Sequence, residues 1–459
     1  MTPGGPAPGL IVAAPASGSG KTLVTLALLR HFRNRGLAVA SAKAGPDYID
    51  PAFHAAASGA ACRNLDSWAM RPETVAGLIH GLGESASLIL AEGVMGLFDG
   101  APGGRGSTAE LAAMTGWPVV LVVDARGMAA SAAALLHGFA SYQPGLRPAG
   151  VIFNRVSGAG HQRILRAACD ELALPCLGCL PRDPALALPE RHLGLVQASE
   201  HPELEAFLEA AAAWLAAHLD GEALAGLARP TTLATAAAAP GPTDLLPPLG
   251  QSIAVATDEA FAFAYPALLE SWRRAGAELR TFSPLADQAP GEACDAVYLP
   301  GGYPELHAGR LAGGTGFLAG LRSAASRGAT LYGECGGFMV LGEGLVDGEG
   351  ERHAMAGLLP LETGFAAPRL TLGYRRASLV ADAPLGPRGT CFRGHEFHYA
   401  RTLKTGSAQP LFEAENASGE ALGTSGLRQG RVLGSFLHLI DREAAVGGVA
   451  TGTAAAPAA

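Results

Sequence analysis

Lysine is nearly missing from this chain: among 459 residues it stands only at Lys21, Lys43 and Lys404, and arginine supplies the rest of the 33 basic side chains. Against 41 acidic residues the formal net charge is −8, which argues against a nucleic-acid-binding surface as the main business. Cysteine is also sparse. Seven, unevenly spaced and without a paired framework, exclude a disulfide scaffold and point to a reducing compartment. No window reaches the roughly 18 uninterrupted apolar residues of a membrane span. Met1 to Gly9 has no basic stretch ahead of an apolar one, so no signal peptide is expected. These absences predict a cytoplasmic protein without a nucleic-acid or membrane partner. The length exceeds what one apolar core usually serves, so at least two domains are expected.

Against that background, Ser17-Gly18-Ser19-Gly20-Lys21-Thr22 stands out. Leu10 to Ala13 before it has strand character, and Leu23 to Arg35 after it is helix-forming and stops at Gly36. In a strand, loop and helix of this kind, glycines let backbone N–H groups turn toward phosphate oxygens. The lysine reaches the outer phosphates, and the threonine hydroxyl can hold Mg²⁺. Pro15 stands where the full pattern has its first glycine. The chemistry implied is nucleotide hydrolysis or phosphoryl transfer.

Leu37 to Ala42 is a second apolar run that delivers Lys43-Ala-Gly-Pro-Asp47-Tyr48-Ile-Asp50-Pro at its end, the place where open α/β sheets bind ligands. Leu88 to Ala91 ends on Glu92, the first choice for a Mg²⁺ ligand beside Thr22, with Asp47 and Asp66 next. Gly96 to Gly100, with Asp99, is a loop suited to closing over a substrate or to a plain connection. Val119 to Asp124 and Gly150 to Asn154 read as further buried parallel strands. Asn154 at a strand end is placed to meet a purine base or to serve a turn. Cys176 and Cys179 form a lone CxxC, read as small buried residues because no second pair stands at zinc spacing. Arg191 and His192 lie in a Pro-bounded loop.

The expected division is a first domain over 1–220, a Pro/Ala/Thr-rich linker over 221–250, a second α/β domain over 251–445 and a flexible tail over 446–459. In the second domain a strand ending at Leu299 runs into Gly301 and Gly302, whose N–H groups can face an oxyanion. Thr330 to Gly337 is a strand-turn-helix with Cys335 at its sharp bend, a nucleophile elbow with cysteine in place of serine. The helix N-terminus is expected to lower the thiol pKa, and His438, at the end of another apolar run, is the candidate base.

These residues together resemble the cobyrinic/hydrogenobyrinic acid a,c-diamide synthase family, in which a dethiobiotin-synthetase-like P-loop domain precedes a class I glutamine amidotransferase domain. The resemblance rests on SGSGKT, KAGPDYIDP, NLD at Asn64 to Asp66, EGVMGLFDG from Glu92, PERHLGL from Pro189, LPGGYPE from Leu299, YGECGG from Tyr332 and RGHEFHY from Arg393. The fold it implies is a P-loop NTPase domain with a mostly parallel sheet plus an amidotransferase-like α/β domain.

It implies that Cys335 attacks the glutamine amide, with Gly301, Gly302 and Gly336 as the oxyanion site and His438 as base and acid. Ammonia then meets a corrin-ring acetate that ATP has phosphorylated. Ser17 to Thr22, Lys43 and Asn154 would bind ATP; Thr22, Glu92, Asp66 and Asp47 would hold Mg²⁺; Asp47, Tyr48, Asp50, Asp99 and His192 would face the corrin. Where many class I amidotransferases carry a glutamate two residues after the histidine, this chain has Ile440, leaving Asp441, Glu396 or no residue to orient His438. The alternatives are a nickel-sirohydrochlorin a,c-diamide synthase, a cobyric acid synthase or, from another class, a nucleotide-switched P-loop binding protein with an inactive amidotransferase domain. A homodimer is the first expectation for the assembly.

Overall fold

The computed structural model describes residues 7–186, 197–234 and 245–444. Strands β1 (Gly9–Ala13), β2 (Val39–Ala44), β3 (Arg63–Leu65), β4 (Leu88–Glu92), β5 (Val119–Asp124), β6 (Gly150–Val156) and β7 (Cys176–Pro181) form one sheet in the order β3-β2-β4-β1-β5-β6-β7. Every neighbouring pair is parallel. Its two faces feed separate apolar clusters: Ile11 belongs to one, Leu10 and Val12 to the other, and none of the three is exposed. That is why these strands read as unbroken apolar runs.

Register decides what meets at the strand ends. Adjacent β2 and β4 set Lys43 beside Glu92, and β1 sets Val12 beside the same Glu92. The loop after β1, which opens helix α1 (Lys21–Asn34), is therefore delivered to that carboxylate.

In the second body β8 (Ser252–Ala256), β9 (Glu278–Phe282), β10 (Ala296–Leu299) and β11 (Thr330–Glu334) are the parallel half of a ten-stranded sheet. A small separate sheet holds β12 (Gly344–Val346), β13 (Arg352–Ala354) and β14 (Leu361–Gly364). The chain continues through β15 (Thr371–Leu379), β16 (Cys391–His398), β17 (Arg401–Thr405), β18 (Gln409–Asn416), β19 (Ala421–Gln429), β20 (Val432–Ser435) and β21 (Leu437–Arg442). β17 joins the small sheet, and the large one runs β21-β16-β15-β18-β19-β20-β11-β10-β8-β9. β20 lies parallel to β11, which puts Ser435 beside Glu334.

The stretch read as linker is largely packed. Gly221–Ala225 is helical with Leu224 buried, Arg229 exchanges backbone hydrogen bonds with Gly9, and the Thr232 N–H donates to Thr115. Leu245, Leu246 and Leu249 are buried in the second body, where Leu246 O accepts from the Trp272 indole. Backbone groups that leave water must find partners, and in both flanks they do. Residues 235–244 and the expected tail at 446–459 lie outside the described residues.

Candidate active site

Around the phosphate loop, Gly18 and Gly20 take φ of +76° and +89°, a region that side chains avoid. The loop is braced from within: the Ser19 hydroxyl donates to Ala16 O at 2.8 Å, and the Asn154 amide donates to Ser19 O at 3.0 Å. Asn154 Oδ1 accepts from the Arg155 N–H, so both polar ends of Asn154 are used internally. It braces the loop from the strand end. Arg155, which sequence reasoning passed over, donates to Gly18 O at 2.8 Å and pairs with Asp124 at 2.7 Å. Ser17 stays exposed at the loop tip.

Behind the loop lies a dense charge cluster. Thr22 donates to Glu92 Oε1 at 2.7 Å and lies 3.5 Å from Asp50. Lys43 Nζ reaches Asp50 at 2.5 Å, Glu92 at 2.9 Å and Asp47 at 3.8 Å. His54, one turn into helix α2 (Ile49–Ser58), bonds Glu92 Oε2 at 2.7 Å. No motif marked His54; only its place on the helix that follows the Asp-rich loop hinted at it. Burial pushes Glu92 upward, but Lys43 and His54 more than offset it and keep the carboxyl ionised. Burial together with neighbouring Asp50 lifts Asp47 to about 7. Burial lowers the Lys21 pKa against the pull of Glu92.

Asp66 is engaged at the joint between the two bodies. Its Oδ1 accepts the N–H groups of Trp68 and Ala69 at 2.9 and 2.8 Å, and its Oδ2 accepts the Tyr374 hydroxyl at 2.9 Å. It closes a turn and ties the two bodies together, while Asp50 and Glu92 are the carboxylates that lie against Thr22. Those hard oxygen donors suit Mg²⁺. Asp99 is exposed and caps its own loop by accepting from the Gly96 N–H at 2.9 Å. His192 lies outside the described residues.

On the second body, Cys335 sits between β11 and the short helix Gly336–Leu341 with φ +47° and ψ −101°. A non-glycine residue held there stores about 1–3 kcal/mol of strain. The elbow closes because its neighbours are small: a Cβ on Gly337 would lie 2.0 Å from Leu299 O. A Cβ on Gly336 would lie 3.1 Å from Gly302 N, so these two peptide groups converge next to the thiol. The Cys335 N–H donates to Ser435 O at 2.8 Å, and its Sγ lies 3.8 Å from Phe397 O.

The thiol is not the lowered one that the helix terminus promised. Burial pushes it well above the ordinary value, aided by the charge of Glu305, and the Gly336 N–H only partly compensates. A six-residue helix is a weak dipole, and desolvation wins.

His438 pairs across the strands with His395 and stacks on it at 4.8 Å. Gly301 abuts it, since a Cβ there would lie 2.4 Å from Cε1. Burial, with His395 and His398 nearby, holds the imidazole neutral. Its Nδ1 lies 3.1 Å from the Tyr48 hydroxyl and 4.0 Å from Glu334 Oε2, and the thiol hydrogen-bonds Phe397 O rather than the imidazole. Tyr48, expected on the corrin side, thus turns its hydroxyl to the second body's histidine.

Neither sequence candidate for orienting that ring touches it. Asp441 binds Arg71 and Thr74, and Glu396 binds Arg375 and His398. Glu334 is fully buried, accepts from Tyr298, Tyr332 and the Leu439 N–H, and is lifted to about 7 by burial. Its one signal in the sequence is its place before Cys335.

The two half-sites share one joint. Tyr48 stacks on Tyr265 at 4.3 Å, Trp68 stacks on Tyr374 at 4.5 Å, and one apolar cluster runs through residues of both bodies. Between them lies a cavity of about 510 Å³, lined mainly by apolar groups, Pro46 and Val94 among them, with Tyr374, Arg375 and His395 at its polar side. Elsewhere Cys176 and Cys179 have sulfurs 3.9 Å apart, and all seven cysteines are free. Among the described residues no helix is long and apolar enough to cross a membrane.

Comparison with known proteins agrees with this layout. The CobQ/CobB/MinD/ParA nucleotide binding domain matches residues 10–196, and the CobB/CobQ-like glutamine amidotransferase domain matches 252–445. Hydrogenobyrinate a,c-diamide synthase of Brucella anthropi is 54% identical over 435 residues, covering 94% of this chain and 98% of that protein. The proteins of that name from Brucella abortus and Rhizobium meliloti are 55% and 53% identical, each covering 94% of this chain and 98% and 99% of their own lengths. A nucleotide-binding domain and a glutamine amidotransferase domain, joined in this order and matched nearly end to end, make this chain a member of the hydrogenobyrinate a,c-diamide synthase family.

Proposed function

We propose that this chain amidates the a and c acetate carboxylates of hydrogenobyrinic acid, with glutamine as nitrogen donor and ATP as activator, in cobalamin biosynthesis. The names of the 53–55% identical relatives favour this macrocycle over cobyrinic acid, nickel-sirohydrochlorin or the cobyric acid synthase reaction. The observation that carries the reading is one short segment: Asp50 bonds Lys43 behind the phosphate cradle, while Tyr48, two residues earlier, bonds His438 of the second body. The same segment thus serves an acyl-activating centre and a glutamine-cleaving one, and the presence of both Cys335 and His438 speaks against an inactive appendage.

In this mechanism the Cys335 sulfur attacks the amide carbon of glutamine while its proton passes to His438, which returns it to the departing nitrogen. The N–H groups of Gly302 and Gly336 receive the developing oxyanion. The resulting thioester is hydrolysed and glutamate leaves. In the first body Lys21 and Lys43 hold the phosphoryl group that moves from ATP to the acetate, and ammonia then displaces phosphate from the acyl phosphate. Thr22, Asp50 and Glu92 would hold Mg²⁺, with Asp47 beside them; the ion would neutralise charge on the phosphate oxygens. The apolar interdomain cavity, bordered by Arg375, would take an edge of the macrocycle and its carboxylates.

The test is Cys335→Ala. Glutamine-dependent amidation of hydrogenobyrinic acid should vanish while ammonia-dependent amidation persists, both followed by mass spectrometry. Loss of both activities in a folded variant, or a product unchanged in mass with wild-type protein, would sink the reading.

A further inference from the structure

We propose that Tyr48, a residue of the first body, is the positioning residue for His438 and supplies across the joint what Ile440 does not. The inference rests on the glutamine-cleaving role given above to Cys335 and His438. Ile440 is buried and apolar, and Asp441 and Glu396 are bound to Arg71, Thr74, Arg375 and His398. The polar group left beside Nδ1 at hydrogen-bond distance is the Tyr48 hydroxyl, at 3.1 Å.

Tyr48 is itself held firmly. Its ring stacks on Tyr265 at 4.3 Å and on Phe263 at 5.2 Å. The Tyr265 hydroxyl lies 3.1 Å from Pro46 O and 3.2 Å from His395 Nδ1, and His395 in turn stacks on His438 at 4.8 Å. Both the plane of the His438 ring and its Nδ1 are therefore set by groups that hang on residues 46–48.

The proton bookkeeping fixes the direction of the hydrogen bond. To take the thiol proton on Nε2, His438 must carry its other proton on Nδ1, and a phenolic oxygen accepts it there. Glu334 Oε2 lies 4.0 Å from the same nitrogen, beyond hydrogen-bond reach. Nε2 makes no hydrogen bond among the described residues. In the step, the Cys335 S–H bond breaks, the sulfur–carbon bond forms and the proton rests on Nε2 until the leaving nitrogen takes it. The Nδ1 proton stays between His438 and Tyr48, so the phenol ends as it began.

Asp50, on the same turn, is bonded to Lys43 and lies 3.5 Å from Thr22, so the segment that orients His438 also borders the phosphate site.

The experiment is glutamine hydrolysis by the full-length protein without ATP or macrocycle, so that a role of Tyr48 in macrocycle binding has no influence. Tyr48→Phe keeps the stacked ring and removes the hydroxyl; kcat should fall about tenfold or more while KM for glutamine stays within about twofold. Wild-type kcat in Tyr48→Phe would overturn the proposal, as would faster hydrolysis, which would make the hydroxyl a restraint. A loss in Glu334→Gln with none in Tyr48→Phe would overturn it too, by moving the role to Glu334. A second measurement does not depend on the variant folding: in wild-type protein labelled with ¹⁵N-histidine, the His438 signal, identified by its loss in His438→Gln, should show the proton on Nδ1. A proton on Nε2 would overturn the proposal.

Discussion

Asp441 of the last strand receives Arg71 of the first body: Nη2 lies 2.8 Å from Oδ1, and the Arg71 N–H and the Thr74 hydroxyl reach Oδ2 at 2.9 and 2.7 Å. The carboxylate has no exposed surface, so these donors, with the Arg442 N–H at 2.9 Å from Oδ1, are what solvates it. Removing Arg71 strands a buried charge. Arg71→Ala should therefore cost about 3–5 kcal/mol of stability, read by urea unfolding. A loss under about 1 kcal/mol would mean that water replaces the guanidinium.

Asp66, at the same joint, makes stability depend on pH. Burial raises its carboxyl to about 6 from an ordinary 3.8, with the Ala69 N–H and the Tyr374 hydroxyl opposing. A raised acid keeps its proton longer in the folded chain than in the unfolded one. Its contribution is present below about pH 4 and is lost as pH rises toward 6, by at most about 3 kcal/mol. Asp66→Asn should remove that part of the slope, seen by comparing unfolding of the two proteins at pH 4.5 and 7.5. Parallel curves would refute this.

Much of the site was legible because it sits on local motifs. The phosphate loop, Lys43, Glu92, the elbow at Cys335 and His438 are each the end of an apolar run, and the parallel sheet brings such ends together. What was not legible depends on contacts distant in sequence. Tyr48 and His438 are 390 positions apart, Tyr374 and Asp66 308, and nothing local to either partner announces the other. The brace from Asn154 to Ser19 O, 135 positions away, was hidden for the same reason, since a strand-end amide looks alike whatever it faces. The antiparallel strands from β15 to β19 carry many glycines and charges on an exposed face, and they left no clean apolar run to read.

Gly20 tests the brace on the phosphate loop. A Cβ there would lie 2.2 Å from Asn154 Nδ2, and the residue holds φ +89°. Gly20→Ala should break the Asn154–Ser19 hydrogen bond and displace the loop, lowering amidation at least about a hundredfold with either nitrogen source. Glutamine hydrolysis without ATP should survive to within about threefold, because the elbow is in the other body. Equal loss of both activities would show that the two centres cannot be separated at this position.

The last prediction concerns the resting thiol. Burial holds Cys335 above the ordinary 9.0 and His438 below the ordinary 6.5, so without substrate the pair is a neutral thiol and a neutral imidazole, not an ion pair. Iodoacetamide attacks the thiolate, so at pH 7.5 alkylation of Cys335 should be at least about tenfold slower than that of a free cysteine with a pKa near 8.5. The rate should still be climbing at pH 9.5, because the folded thiol has not yet titrated. Peptide mass spectrometry of the labelled elbow gives that rate directly. A plateau below pH 8 would mean that the thiolate is preformed and that the helix terminus, not burial, governs the nucleophile.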